Sequence, residues 1–344
     1  TLLAPFTTWS LTFLCGTGHV VYTMFPIISD IAIKKGIRPE RPMAVASVAS
    51  QMAITASPVS VAVVSLVSII GANHGIGHAY SILEILAVSV PASLVGVLMA
   101  ALWSLRRGKD LDKDPDFQER IKDPEQRSFI YGSTDTLLNQ VFPKQAYWST
   151  WIFFAAIAIV VLLGAFAELR PAFEVKGKLQ SLSMNLVIQM MMLIAGAVIL
   201  MGCKVKPSDI SNGAVFKAGM VAIFSVFGVA WMSDTFFQAH MGDLKLVLED
   251  VVKSKPWTYA IVLFLVSKLV NSQAAALAAI APMGLQLGVD PKMLIAFFPA
   301  AYGYFVLPTY PSDLACIGFD RSGTTKIGKF IINHSFIIPG LIGV

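Results

Sequence analysis

Nine long apolar stretches dominate the chain, and they are of two kinds. Four run unbroken for about 20 residues, the length that crosses a hydrocarbon core about 30 Å thick. They are Ile82–Leu105, Trp148–Ala167, Ser181–Cys203 and Ala214–Met232. A fifth, Phe330–Val344, reads as a final helix cut short. The other four are interrupted by small, polar or proline residues. Leu11–Ile28 breaks at Cys15-Gly16-Thr17-Gly18-His19, and Pro42–Ile70 at Thr55-Ala56-Ser57-Pro58. Tyr259–Leu287 breaks at Asn271-Ser272-Gln273, and Lys292–Gly318 at Pro308-Thr309-Tyr310-Pro311-Ser312-Asp313. Lipid cannot satisfy bare backbone groups, so such breaks are expected only where protein buries them or where they line an aqueous cavity.

The breaks come in matched pairs. Thr17 to Ser57 is 40 residues and Ser272 to Tyr310 is 38. Each pair encloses a Gly-x-x-Pro turn, Gly36-Ile37-Arg38-Pro39 and Gly288-Val289-Asp290-Pro291. Interrupted segments at corresponding places in two halves point to the binding site of a secondary transporter. The pattern predicts an all-α polytopic membrane protein, built as an inverted-repeat transporter with two re-entrant hairpins and two broken helices. Residues 1–70 form the first repeat (hairpin 11–28, broken helix 42–70). Residues 71–256 are scaffold helices with a cytoplasmic loop 106–147, and 257–319 are the second repeat (hairpin 259–287, broken helix 292–318). Residues 320–344 carry the final helix.

Composition agrees with this class. The chain is 56% hydrophobic and 14% charged, against about 25% charged in an ordinary soluble domain. That excludes a soluble enzyme and a nucleic-acid binder. The net charge of +5 then concerns orientation, because surplus Lys and Arg collect in cytoplasmic loops. Lys34, Lys35, Arg38 and Arg41 place the first turn in the cytoplasm, which makes the two hairpins enter from opposite sides. The loop Arg106–Lys144 balances eight bases with eight acids and is expected to be a solvated connector. Asp243–Lys255 alternates apolar and charged positions at helical spacing, as an interfacial helix does. Cys15, Cys203 and Cys316 are too far apart to suggest a disulfide framework.

Each break exposes the N-terminus of a half-helix, worth roughly +0.5 charge, so four converging ends would offset a dianion. Thr17, Thr55, Ser57, Ser60, Asn271, Ser272, Gln273, Thr309 and Ser312 add short hydrogen-bonding side chains. Gly16 and Gly18 allow close backbone approach, while Pro58, Pro308 and Pro311 keep the breaks open. The bland alternative for any one Ser or Thr is that it satisfies helix backbone. Asp313 is a candidate cation ligand or proton carrier, or simply a cap on the helix after Pro311. Lys268, one turn before Asn271, would neutralise a carboxylate, snorkel, or pair with an acid such as Asp313. His19 follows the first tip and fits either a site or a structural role, and Asp234 fits an interfacial position. His74 and His78 lack a third ligand, so no metal centre is expected beyond a candidate cation site near Asp313. A phosphate-loop motif and a nucleophile elbow are both missing, and neither a cofactor nor catalysis is expected.

Five stretches carry a family resemblance. Cys15-Gly16-Thr17-Gly18-His19-Val20-Val21-Tyr22 and Ile54-Thr55-Ala56-Ser57-Pro58-Val59-Ser60 resemble the anaerobic C4-dicarboxylate transporters of the Dcu type. So do Leu269-Val270-Asn271-Ser272-Gln273-Ala274-Ala275-Ala276, Leu307-Pro308-Thr309-Tyr310-Pro311-Ser312-Asp313-Leu314 and Phe319-Asp320-Arg321-Ser322-Gly323-Thr324-Thr325. The likeness runs the whole length and is greatest to the B branch, the fumarate/succinate antiporters. It implies a multi-pass protein of the bacterial inner membrane, used in anaerobic respiration. Such a protein takes in fumarate, malate or aspartate and sends out succinate. Similarity to the wider ion-transporter superfamily implies a homodimeric elevator. Its Ser-Asn-Thr hairpin tips correspond here to Gly16-Thr17-Gly18 and Asn271-Ser272-Gln273, neither of which is literally that motif. The substrate site expected on this basis is Thr17–His19, Thr55–Ser60, Asn271–Gln273 and Thr309–Asp313 near mid-membrane. A dicarboxylate-sensing histidine kinase is a further expected partner. The alternatives are a sodium- or proton-coupled symporter on the same fold, an anion channel, or a dicarboxylate-binding sensor.

Overall fold

A computed structural model describes residues 1–71, 80–131, 142–175, 178–182, 184–212 and 254–344, with scattered positions between 213 and 253. The predicted span Ala214–Met232, the loop carrying His74 and His78, Asp234, and most of the predicted interfacial helix lie outside these residues.

The chain opens with α1 (Leu3–Cys15), a 3₁₀ turn (Gly18–Val20) and α2 (Val21–Lys34). Gly16 ends α1 at φ +68°, the left-handed conformation that glycine adopts without strain. Thr17 is extended, and its hydroxyl accepts the His19 N–H, starting the next turn. Next come α3 (Glu40–Ala56), a break at residues 57–60, and α4 (Val61–Gly71). Pro58 supplies no N–H in that break, and Ser60 Oγ takes the Val63 N–H to start α4. The long helix α5 (Ile82–Ser104) begins with a reciprocal capping box between Ser81 and Glu84.

The second half repeats this local chemistry. α11 (Thr258–Val270) ends at Asn271, which sits at φ +52°, and Ser272 is extended. Ser272 Oγ accepts the Ala275 N–H and so starts α12 (Gln273–Gln286). Asn is among the few side chains that tolerate the left-handed region. Both tips are thus a left-handed residue followed by an extended hydroxyl cap. α13 (Pro291–Ala296), a 3₁₀ stretch (Phe298–Val306) and α14 (Pro311–Phe319) follow. The second broken helix is therefore three pieces rather than two. Its break lies at residues 307–310, so Pro311, Ser312 and Asp313 belong to the first turn of α14.

Among the described residues, two helical runs are long and apolar enough to cross a membrane, Glu40–Gly71 and Ile82–Ser104. A third joins them if the pair Pro291–Val306 and Pro311–Phe319, bent by 55°, is one span. α8 (Lys144–Ala165) and α9 (Met184–Gly202) pack on each other and against Val59 of the first broken helix, and the short α10 (Pro207–Asn212) follows α9. Between α8 and α9 lies an antiparallel β-hairpin, Ala172–Val175 with Lys178–Ser181, which an all-α expectation did not contain.

The two helix pairs open toward opposite ends of α3–α4. Ala4 at the start of α1 packs in one cluster with Phe25 and Ile28 of α2 and Met43 of α3. Tyr259 at the start of α11 and Ile280 of α12 pack with Leu66 and Ile70 of α4 and Ile85 of α5. α3 passes between these groups. Its run of Ala44, Val45, Ala46, Ser47, Val48, Ala49 and Ser50 is wholly buried, since small side chains admit helices on every side.

Two expectations change. The segment after Arg106 exposes most of its described charged residues, as expected of a solvated connector, but it is also docked on the helices. Its Leu111, with Phe117 of α6 (Pro115–Arg120) and Ile130 of α7 (Pro124–Tyr131), forms a buried cluster with Ile33 of α2. Arg38 and Arg41 bind its Asp114 and Asp110, while Lys113, Asp116, Glu119, Lys122, Asp123, Glu125 and Arg127 are exposed. The stretch Phe330–Val344 is not one helix. Gly328 and Asn333 close a turn between Ile327 and His334, and only α15 (Ile337–Gly343) is helical.

Candidate functional site

The breaks meet around Gln51 of α3, which is fully buried. Tyr304, in the 3₁₀ stretch, donates its hydroxyl to Gln51 Oε1 at 2.7 Å. Gln273, first residue of α12, donates from Nε2 to the Gln51 carbonyl at 2.8 Å and to the Tyr304 hydroxyl at 3.3 Å. Gln51 Nε2 donates to Ser312 Oγ at 3.4 Å. Gly18 lies so close to the Gln51 amide that a Cβ there would meet it. One residue therefore touches the first and third breaks and both flanks of the fourth, and it lies nearly two helical turns before the second. The first two are joined directly as well. Ser57 Oγ donates to the Phe13 carbonyl at 2.6 Å, and Gly16 packs on Val59.

One turn earlier on α3, Ser47 donates to Asp313 Oδ1 at 2.8 Å and to Ser312 Oγ at 3.3 Å. Asp313 is buried, and its Oδ2 has no hydrogen-bond partner. Its carboxylate does not cap α14: the backbone at the start of that helix makes no side-chain cap bond. Gln273 Oε1 is likewise buried without a donor. Lys268 neither snorkels nor pairs with Asp313. Its ammonium donates to Thr309 Oγ1 at 2.8 Å, Asn271 Oδ1 at 3.1 Å, the Leu307 carbonyl at 3.1 Å and the Tyr304 carbonyl at 3.3 Å. It thus holds the C-terminal carbonyls of the 3₁₀ stretch, where a cation is favoured, and ties them to the second tip.

The other expected site residues fall into two groups. Thr17, Ser60 and Ser272 spend their hydroxyls on starting helices, and Thr55 bonds the Met52 carbonyl of its own helix. Pro58 and Pro308 shape the breaks, and His19 is exposed and stacks on Tyr22 with ring centres 5.8 Å apart. Ser47, Gln51 and Tyr304 were not anticipated. A signal existed: Ser47, Ser50 and Gln51 are the polar positions of an otherwise Ala-, Val- and Met-rich run, and a long amide inside a membrane helix needs partners. Among the described residues, no group of three His, Cys, Asp or Glu is placed to hold a metal ion.

Helix–break–helix pairs packed on a shared broken helix, with their breaks meeting in a buried polar network, are a build found among membrane transporters. The comparisons identify which kind. The family model described as anaerobic C4-dicarboxylate membrane transporter matches residues 1–344, and the chain belongs to this DcuA/DcuB family. It is 58% identical over 343 residues to the anaerobic C4-dicarboxylate transporter DcuB of Escherichia coli O6:H1, covering all of this chain and 76% of that protein. It is 38% identical to the C4-dicarboxylate transporter DcuA of Wolinella succinogenes and 36% to that of E. coli K12, again over all of this chain and 76% of each relative. No solved structure matches.

Proposed function

We propose that the protein exchanges C4-dicarboxylates across a bacterial inner membrane, bringing in fumarate, malate or aspartate and releasing succinate during anaerobic growth. The observation that carries this reading is the meeting of the breaks around Gln51. A C4-dicarboxylate is a dianion at neutral pH, since its carboxyl groups titrate near 4. The N-terminal ends of α2, α4, α12 and α14 supply about +2 in total, without an arginine in the site. Backbone N–H groups of Thr17 and Gly18 and of Ser272 and Gln273, with the hydroxyls of Thr309 and Ser312, give the two carboxylates donors on both sides.

In this reading the helix–break–helix pairs are re-entrant hairpins of two inverted repeats. They move as an elevator against α5, α8 and α9 in a homodimer. Exchange follows because an empty site would drag unfilled helix ends and polar donors past apolar scaffold. Ion-coupled uptake is a second reading, favoured by one observation: Asp313 Oδ2 and Gln273 Oε1 are buried acceptors without donors.

Entry of labelled succinate into vesicles holding the full-length protein tests both. Fast entry only into vesicles loaded with fumarate supports exchange. Entry into empty vesicles driven by a sodium or proton gradient supports coupled uptake. Rapid net efflux of succinate with no counter-substrate refutes obligatory exchange, and no entry under any condition removes the transport reading for succinate.

A further inference from the structure

Gln51 belongs to the first half of the chain, and its partners Gln273, Tyr304 and Ser312 to the second, 222 to 261 residues away. Its two amide ends and its backbone carbonyl each bind a different element. Tyr304 holds the Oε1 end at 2.7 Å, Ser312 takes the Nε2 end at 3.4 Å, and Gln273 takes the carbonyl at 2.8 Å. The first tip rests on the same amide through Gly18. Tyr304 is fixed in turn. Its ring lies against Tyr302 and Tyr310 at centroid distances of 4.9 and 4.4 Å. The side chain is thus a spacer that fixes how far the Gly16–His19 tip stands from the Asn271–Gln273 tip and from Ser312.

Resting on the dicarboxylate reading above, we infer that Gln51, braced by Tyr304, sets the separation of the two carboxylate-binding ends and so selects dicarboxylates by chain length. Two anionic ends bound by donors on opposite sides must match a fixed spacing. A spacer that loosens lets the ends drift and lowers discrimination more than it lowers binding. Gln51 acts through the elements it holds, so it is a positioning residue, and neither Gln51 nor Tyr304 is required to touch the substrate.

Tyr304→Phe is the decisive variant, because it keeps the ring packing and removes only the hydroxyl between Gln51 and Gln273. Gln51→Asn shortens the spacer while keeping its amide. Full-length protein in vesicles is assayed for competition of labelled succinate uptake by malonate, succinate and glutarate, with three, four and five carbons. The unmodified protein is expected to prefer succinate. Tyr304→Phe is expected to lower the succinate-to-glutarate preference about five- to tenfold, as the loss of one buried hydrogen bond at a discriminating contact does. Gln51→Asn should move the preference the same way, with Ser68→Ala, at an exposed position of α4, as an unaffected control. Equal weakening of all three acids in Tyr304→Phe, or an unchanged preference, overturns the inference even if Gln51→Asn fails to fold. Failure of the unmodified protein to take up succinate overturns the dicarboxylate reading itself, which separates the two outcomes.

Discussion

Glu40→Ala should loosen the face that joins the start of α3 to the segments 106–131 and 320–336. The Glu40 side chain is 5% exposed. Its Oε2 binds Arg38 Nε at 2.8 Å, and its Oε1 binds Arg107 Nη2 at 2.9 Å and Ser335 Oγ at 2.6 Å. Removing one partner from a buried ion pair costs roughly 3–5 kcal/mol when the other charge is stranded. Here only Arg107 loses its carboxylate, and its side chain is 21% exposed. Arg38 keeps Asp114 at 2.6 Å, and Arg107 keeps the Ser335 carbonyl at 2.9 Å. Ser335 Oγ keeps the Lys326 carbonyl at 3.2 Å. The loss should therefore fall below that range, at about 2–3 kcal/mol for Glu40→Ala. For Glu40→Gln, which keeps the shape and loses the charge assistance, it should be about 1–1.5 kcal/mol. Unfolding of the detergent-solubilised protein measures the totals. The rate of trypsin cleavage at Lys113, Arg120 and Lys122 reads the local effect. A Glu40→Ala protein within about 0.5 kcal/mol of the unmodified one, with unchanged cleavage, would refute the reasoning, because that lies within the scatter of an unstructured surface change.

Three further outcomes follow from the site. Lys268→Met leaves the Leu307 and Tyr304 carbonyls without their donor and should cost about 2–3 kcal/mol in unfolding measurements, with weaker succinate binding by calorimetry. Ser272→Ala removes the cap of α12 and should cost about 1 kcal/mol, largely restored by Ser272→Thr; if binding is unchanged, the hydroxyl serves the helix alone. Gly303→Ala should cost at least about 2 kcal/mol in thermal unfolding, because a Cβ there would run into the Phe264 carbonyl and the Ser267 hydroxyl of α11.

The turning points of the fold were legible because backbone chemistry writes them locally. Gly36 and Gly288 sit at φ +66° and +83° in the two Gly-x-x-Pro turns. Pro39 and Pro291 then open α3 and α13, where a missing N–H does no harm. The same rule places Pro311 inside α14, whereas the cluster of prolines and polar residues suggested a break through Asp313. Charge counting read the exposed charges after Arg106 but could not reveal that Asp110 and Asp114 dock the segment on Arg41 and Arg38. The β-hairpin was hidden by its length: four-residue strands give too few alternations to stand out between two apolar helices. In the site, the tips and Ser312 were readable as interruptions. Gln51 and Tyr304 lie away from the interruptions, and although Gln51 stands out as a polar position of α3, the pair gains its meaning from contacts between residues more than 200 positions apart.

The placement of Lys268 decides how a dianion would be balanced. An ammonium has three protons to donate, and here four acceptors surround it within 3.3 Å. Direct binding of a substrate carboxylate would require it to release Thr309 or Asn271, or to uncover carbonyls at the end of the 3₁₀ stretch. Its charge still reaches a neighbouring anion through a poorly polarisable interior, where a unit charge acts more strongly than in water. The hydrogen bonds to the carboxylates must then come from the tips, from Thr309 and Ser312, and from the helix N-termini. In this arrangement one lysine adds attraction while the helix breaks supply geometry. A carrier built so would lose affinity broadly when Lys268 is removed. It would lose selectivity when the spacing of the breaks is disturbed at Gln51 or Tyr304. The two kinds of variant should therefore separate in the ratio of C4 to C5 uptake, with Lys268→Met lowering the ratio less than Tyr304→Phe.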